Sequence, residues 1–493
     1  MNCENGHKSE GYQAHTLLNG IQDVNGLTQN RRICMATWAA ATVIFLLGTI
    51  LHKTLACPFC LSPPQTLAEQ IARADITLIA ELVRFRVYDG GSRPESTLRI
   101  REFLHGESIA GTRRELAIGQ AIVIAAEATG NPGDLFLMYG TLPENSAQLA
   151  SSTFAVDDSA KNANTSTVNE SSLNTVVTAD LKIDPLDLSG GDIQKTSLII
   201  PEWISWNETM AITSHTVGYM KHMPARNYPQ KKRLEYFVPF LEHTEAMIAI
   251  DAWAEFGNSS YEDVIAIRSL LPRDKLRDWI ADPQMSPERL GLYGMMLGLC
   301  GTAEDSEFLL AQMREKNQKP DTAAEPSPMR FRFGAEGLMG GYLLLTGEPG
   351  LDQLEKTLLV PADVPDTACH ALIQALQFMW SYEKDIISPD RICKTMRMML
   401  NRESMREIAI TNLSRWEDWS TLPLLTQMFN GECSGDRSTQ RAIIQFAQTC
   451  MKNPAANSGD QPAADDAELF LCHVQATRPD LLTSNRREFQ APQ

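Results

Sequence analysis

Cys57-Pro58-Phe59-Cys60 is the tightest grouping of reactive side chains in this chain of 493 residues. A C-x-x-C pair can run thiol–disulfide exchange when one sulfur is held as thiolate, which needs a helix N-terminus or a nearby cation. Here Pro63-Pro64 follows almost at once and keeps a helix from starting at the second cysteine. The simpler reading is a local disulfide, or two thiols that tether the N-terminus. One C-x-x-C with no second pair is an incomplete zinc set, and no His follows Cys60 to allow covalent haem attachment.

A second grouping is Met210, His215, Met220, His222 and Met223. Thioether and imidazole ligands suit copper, with His215, Met220 and His222 the candidate ligands. The same segment serves equally well as the piece that docks one part of the chain on the next. His105, His243, His370 and His473 are scattered and have no spaced partners. Two glycine rows, at 291, 294 and 298 and at 334, 337 and 341, lack the strand before and the Lys-Ser or Lys-Thr after that a phosphate loop requires. Glycine at this spacing on a helix lets backbones pack closely. Trp416 and Trp419 flank Glu417-Asp418 at a helix–helix turn and read as core. No resident cofactor is expected.

These residues sit downstream of an export-like segment. Arg31-Arg32 precedes a 19-residue apolar run, Ile33–Leu51, and Thr54-Leu55-Ala56 leads directly into Cys57. Positive charge, an apolar stretch and a small residue before the junction make up a secretory signal. The length also reaches that of a membrane span. Three outcomes stay open: cleavage after Ala56, retention of residues 33–51 as an anchor, or lipid attachment at Cys57. Export to the periplasm or exterior is the expectation under each, and the membrane is met only through this N-terminal segment. The net charge of −17, from 44 basic and 61 acidic residues, excludes a nucleic-acid partner. Eight cysteines follow the signal, and most lie singly on apolar helical faces, where a buried thiol is the common state.

The elements that must position these groups divide in two. A helical pattern at 66–73 gives way to apolar alternation at Ile76–Tyr88, Leu98–Phe103, Ala121–Ala126 and Leu135–Tyr139, with turn residues between. Residues 143–195 are rich in Ser, Thr, Asn and Asp and read as a disordered insertion. Strand character returns at Ser197–Trp206. From Lys231 to Thr477 the period is helical. Expected helices include Glu245–Phe256, Pro287–Cys300, Arg332–Thr346, Leu351–Leu359, Asp366–Glu383 and Thr439–Lys452. Ser286-Pro287 and Gly301 bracket one of them as N-cap, first-turn proline and C-terminal stop. An internal echo, Arg289–Gly294 against Arg332–Gly337, recurs 43 residues later, the period of an α-solenoid of helix pairs.

Three resemblances rest on these residues. Ala246–Phe256 and Ile408–Phe429, with small residues Ala252 and Ala409 inside helices, resemble HEAT-like repeats, which implies a solenoid. The cysteine motif, Ser62-Pro63-Pro64, the helix ending in Arg73-Ala74-Asp75 and the strand from Ile76 resemble the netrin-like domain of tissue inhibitors of metalloproteinases, which implies an OB-type barrel. In that family the first cysteine chelates a protease zinc. This chain departs from it in having C-x-x-C, not C-x-C, and no cysteine between Cys60 and Cys300. C-P-x-C by itself resembles the glutaredoxin motif. The whole arrangement, with an A-C-P-F-C start and the segment Glu288–Gly294, is similar to bacterial exported proteins of unknown function.

The expected fold is therefore α+β and multidomain. It has an N-terminal tail and signal or anchor (1–56), a small antiparallel β-barrel (57–225) with the insertion, a HEAT-like α-solenoid (226–477) and a disordered tail (478–493). The expected function is a non-catalytic envelope scaffold that binds a protein or an envelope polymer. The alternatives are a thiol–disulfide oxidoreductase using Cys57 and Cys60, and a metalloprotease-inhibitor-like domain.

Overall fold

The computed structural model describes residues 58–59, 63–86, 95–112, 116–125, 127–142, 201, 203–207, 209–313, 333–361, 364–453 and 461–483. The signal segment, the insertion at 143–195, Cys57 and Cys60 lie outside them. The molecule is α+β, with a curled antiparallel half-barrel near the N-terminus and a helical region after it.

A short helix, α1 (Leu67–Arg73), opens on a capping box in which Thr66 and Glu69 satisfy each other's backbone N–H groups. Strands β1 (Ile76–Arg86), β2 (Glu95–His105), β3 (Ala121–Ile124) and β4 (Leu135–Thr141) pair antiparallel in the order β3-β2-β1-β4. β5 (Ser205–Trp206) and β6 (Met210–Ile212) pair with different stretches of β4. In register, Ala80 faces Ile100 on one side and Phe136 on the other. The strand expected at Ser197–Trp206 contributes only its last two residues to the sheet among the described residues. A short helix, α2 (Glu107–Thr112), follows β2 where only a turn was expected. Gly106, at φ 77°, makes that corner, and a Cβ there would strike the carbonyl oxygen of Asp75.

Both faces of β1 are covered, which is why it reads as a nearly continuous apolar run. Ile76, Leu78, Ala80 and Leu82 join Leu98, Ile100, Ile122, Phe136 and Met138 in a core inside the curl. Ile79, Leu137 and Tyr139 point the other way, into the core of the helical region. The sheet and the helices therefore share buried apolar surface.

The helical region begins with α3 (Ser214–His222), α4 (Gln230–Phe237), α5 (Ala246–Gly257), α6 (Tyr261–Ala266) and α7 (Arg273–Ala281). Next come α8 (Pro287–Cys300), α9 (Ala303–Gln312), α10 (Ala335–Leu358) and α11 (Asp366–Tyr382). α12 (Pro389–Met398), α13 (Arg406–Arg415), α14 (Leu422–Asn430), α15 (Arg437–Lys452), α16 (Gln461–Thr477) and α17 (Pro479–Thr483) complete it. The two helices expected within Arg332–Thr346 and Leu351–Leu359 are both present among the described residues, as the two halves of α10 on either side of Gly347, which leaves helical geometry at φ 61°. One expectation is corrected. Of the tail expected at 478–493, residues 479–483 form α17, because Leu481 finds a fully buried seat and Asp480 pairs with Arg437 at 2.6 Å; residues 484–493 lie outside the described residues. No helix of the described residues is long and apolar enough to cross a membrane.

Candidate functional site

Phe59, the residue between proline and the second cysteine, is the buried member of that motif among the described residues. Its ring is buried and lies 4.9 Å, centroid to centroid, from Phe378 of α11. Two glycines make room for it. A Cβ on Gly340 would come within 2.6 Å of the ring, and one on Gly291 within 2.8 Å of the Phe59 carbonyl oxygen. The same glycine rows bring α8 and α10 together in parallel. A side chain on Gly337 would run into the backbone of Gly291, and one on Gly341 into that of Gly294.

This close parallel packing sets the two helix starts side by side. Ser286 and Pro287 start α8. Gly334 caps α10 at φ 89°, and its missing side chain lets the backbone pass the Pro287 carbonyl. Between the two starts lies a pocket of about 330 Å³ lined by Phe59, Glu288, Phe333 and Glu336, with Thr367, Ala371 and Gln374 of α11 on the far wall. Phe333 stands at its edge 73% exposed. Burial raises the Glu336 pKa, partly offset by hydrogen bonds from its own N–H and that of Gly334. Glu288 is exposed.

A second cluster ties the sheet to the helices. The apolar helix α5 carries two acids one turn apart, Asp251 and Glu255, both buried. Asp251 accepts from the Leu67 N–H of α1 at 2.5 Å and from the Tyr219 hydroxyl of α3 at 2.6 Å. Glu255 pairs with Arg233 of α4 at 2.6 Å, and Arg233 also donates to the Pro224 carbonyl. Burial pushes Asp251 up to about 6 against the pull of those two hydrogen bonds, and the Glu255 charge adds to the rise. Burial and the Asp251 charge push the Tyr139 hydroxyl well above its ordinary range. That hydroxyl has no hydrogen-bond partner among the described residues.

The candidate copper ligands have separate settings. His215, exposed, places Nδ1 3.0 Å from Glu245. Met220 is buried in the core, and His222 turns back to the Gly218 carbonyl at 2.8 Å. Among the described residues no group of three or more His, Cys, Asp or Glu could hold a metal ion. Cys300, Cys369, Cys393 and Cys433 are free thiols, and burial raises the pKa of each. Trp416 stacks on Trp380 at 4.7 Å and Trp419 meets Phe446 edge-on, so both tryptophans belong to the core.

Sequence reasoning picked out Phe59's motif, Glu288–Gly294 and the echo at 332–337, but not that the three converge. It missed Asp251, Glu255 and Arg233. The available signal was two acids four apart inside an otherwise apolar helix.

No family model, curated protein or solved structure matches this chain.

Proposed function

We propose that this chain is a non-catalytic, exported envelope protein that holds a protein or envelope polymer on a helical scaffold, with the Phe59–Phe333 pocket as a contact point. One observation carries the reading. An aromatic side chain, Phe333, stands 73% exposed at the edge of a pocket with an aromatic floor. Exposed aromatic surface beside a concavity is where binding energy concentrates. The finer fold reading belongs with it: an OB-like barrel followed by HEAT-like helix pairs. The parallel packing of α8 on α10, with α9 between them in sequence, supports the repeat. The export part of the proposal rests on residues 31–57 of the sequence.

The seat of Phe59 weighs against both alternatives. A reactive C-x-x-C sits at a helix N-terminus, whereas among the described residues the first helix after this motif begins at Leu67. An inhibitor that chelates zinc through its first residue needs a projecting N-terminus, and here the second residue after Cys57 is buried.

The test is affinity capture from envelope extract with the wild-type chain and Phe333→Ala in parallel. A discrete partner retained by the wild type and lost with the variant is expected. Equal retention by both overturns the assignment of the pocket. Insulin-reduction turnover that disappears in Cys57→Ser would favour the oxidoreductase instead.

A further inference from the structure

Several buried or half-buried carboxylates in this molecule are met by arginine, whereas Asp251 is met by an N–H and a hydroxyl. Glu255 has Arg233, Glu242 has Arg289 at 2.8 Å, Asp305 has Arg273 and Arg277, Glu355 has Arg391 at 2.7 Å, and Asp418 has Arg397 at 2.7 Å. Two of these arginines also lie over a phenylalanine. Arg277 sits 4.3 Å from the Phe308 ring centroid while bonding Asp305, and Arg233 lies 5.6 Å from that of Phe237 while bonding Glu255. Phe333 and Glu336 line one pocket, which thus offers an aromatic ring and a carboxylate, the two kinds of group that meet the guanidinium of Arg277. Glu336 differs in one respect: among the described residues no Lys, Arg or His forms an ion pair with it or with Glu288.

We propose that the pocket between the starts of α8 and α10 takes an arginine side chain of a partner protein, with the guanidinium between Phe333 and Glu336 and Glu288 at the rim. This rests on the binding-scaffold reading and names the chemistry of its partner. Arginine fits better than lysine because its planar, weakly hydrated fork can stack on a ring and donate two bonds to one carboxylate. A cavity of about 330 Å³ has room for that side chain. The Glu336 carboxylate, held on one side by its own N–H and that of Gly334, keeps its pocket-facing side for a charged donor.

Citrulline keeps the shape of arginine and removes the charge, so it isolates the inference. The full chain is titrated with acetyl-Gly-Arg-Gly-amide and with the citrulline counterpart, followed by saturation-transfer NMR. The arginine peptide is expected to bind at least ten-fold more tightly. Glu336→Gln is expected to erase that ratio, and Phe333→Ala to weaken the arginine peptide several-fold. Equal binding of the two peptides, both lost in Phe333→Ala, overturns the arginine assignment and leaves the binding pocket standing. An arginine preference that survives Glu336→Gln, or no binding of either peptide, also overturns it. If the peptide binds only after Arg330 and Arg332 are both replaced by Ala, the chain's own arginines fill the pocket and the partner assignment is overturned. Partner capture by the wild-type chain in the same preparation reports separately on the scaffold reading.

Discussion

Asp251 and Glu336 are both acids whose pKa is raised by burial, yet their surroundings are opposites. Asp251 is closed in on every side. It takes one hydrogen bond from the segment leading the sheet and one from the helix after it, beside a buried ion pair. Glu336 faces a pocket, capped on one side by backbone N–H groups and open on the other. Asp251 joins two parts of the chain through its hydrogen bonds, whereas Glu336 keeps one side toward the pocket, and the proposed binding reading rests on that difference.

The comparison can be broken first at the closed site. Arg233→Ala leaves Glu255 buried and unpaired next to Asp251. It is expected to cost about 3–5 kcal/mol in urea unfolding, the usual penalty for removing one partner of a buried pair. A loss below about 1 kcal/mol would mean that the cluster is wetter than described.

The next effect is a pH dependence. Asp251 rises from an ordinary value of 3.8 to about 6 in the folded chain. Between those values the native state holds a proton that the unfolded chain has released. Its contribution to stability is full below about pH 4 and is lost as pH rises through about 6, a change of roughly 3 kcal/mol. Asp251→Asn should flatten this decline in denaturation curves taken from pH 4 to 7. Asp305 acts in the opposite sense and in a lower window. Burial works against its carboxylate, but Arg273, the Thr302 N–H and Arg277 outweigh it and hold the pKa at about 2. Its contribution is lost only as pH falls below about 4. Wild-type and Asp251→Asn curves of identical shape would remove Asp251 as the source of the decline.

The smallest stability effect belongs to the open site. Phe333→Ala is expected to change unfolding free energy by less than about 0.5 kcal/mol, as for other exposed positions, while abolishing partner capture. A loss of several kcal/mol would place Phe333 in the core and end the contrast between the two sites.

How much of this was legible depended on whether the signal was local. Ser286-Pro287 and Gly301 mark the two ends of α8, and the structure places that helix at Pro287–Cys300 as the sequence predicts. The glycine rows at 291–298 and 334–341 were readable as a close-packing seam, because no other local role suits them. Gly347-Glu348-Pro349-Gly350 reads as a break, and the helix does break there: Gly347 leaves helical geometry, and Pro349 falls in the first turn of the helical segment that follows. The Asp251 cluster was not legible. Its partners lie at Leu67 and Tyr219, and the Glu255 partner at Arg233, so only the folded chain assembles them. The pocket was half legible: each wall was singled out as a motif, and nothing in the sequence says that the walls meet.

Site-specific photo-crosslinking tests the central claim most directly. A benzoylphenylalanine placed at position 333 lies at the pocket edge, and one at Leu469, 71% exposed on α16, serves as the control. In living cells, position 333 is expected to yield a discrete crosslinked envelope partner that position 469 does not. The same adducts at both positions, or none at 333, would contradict the account.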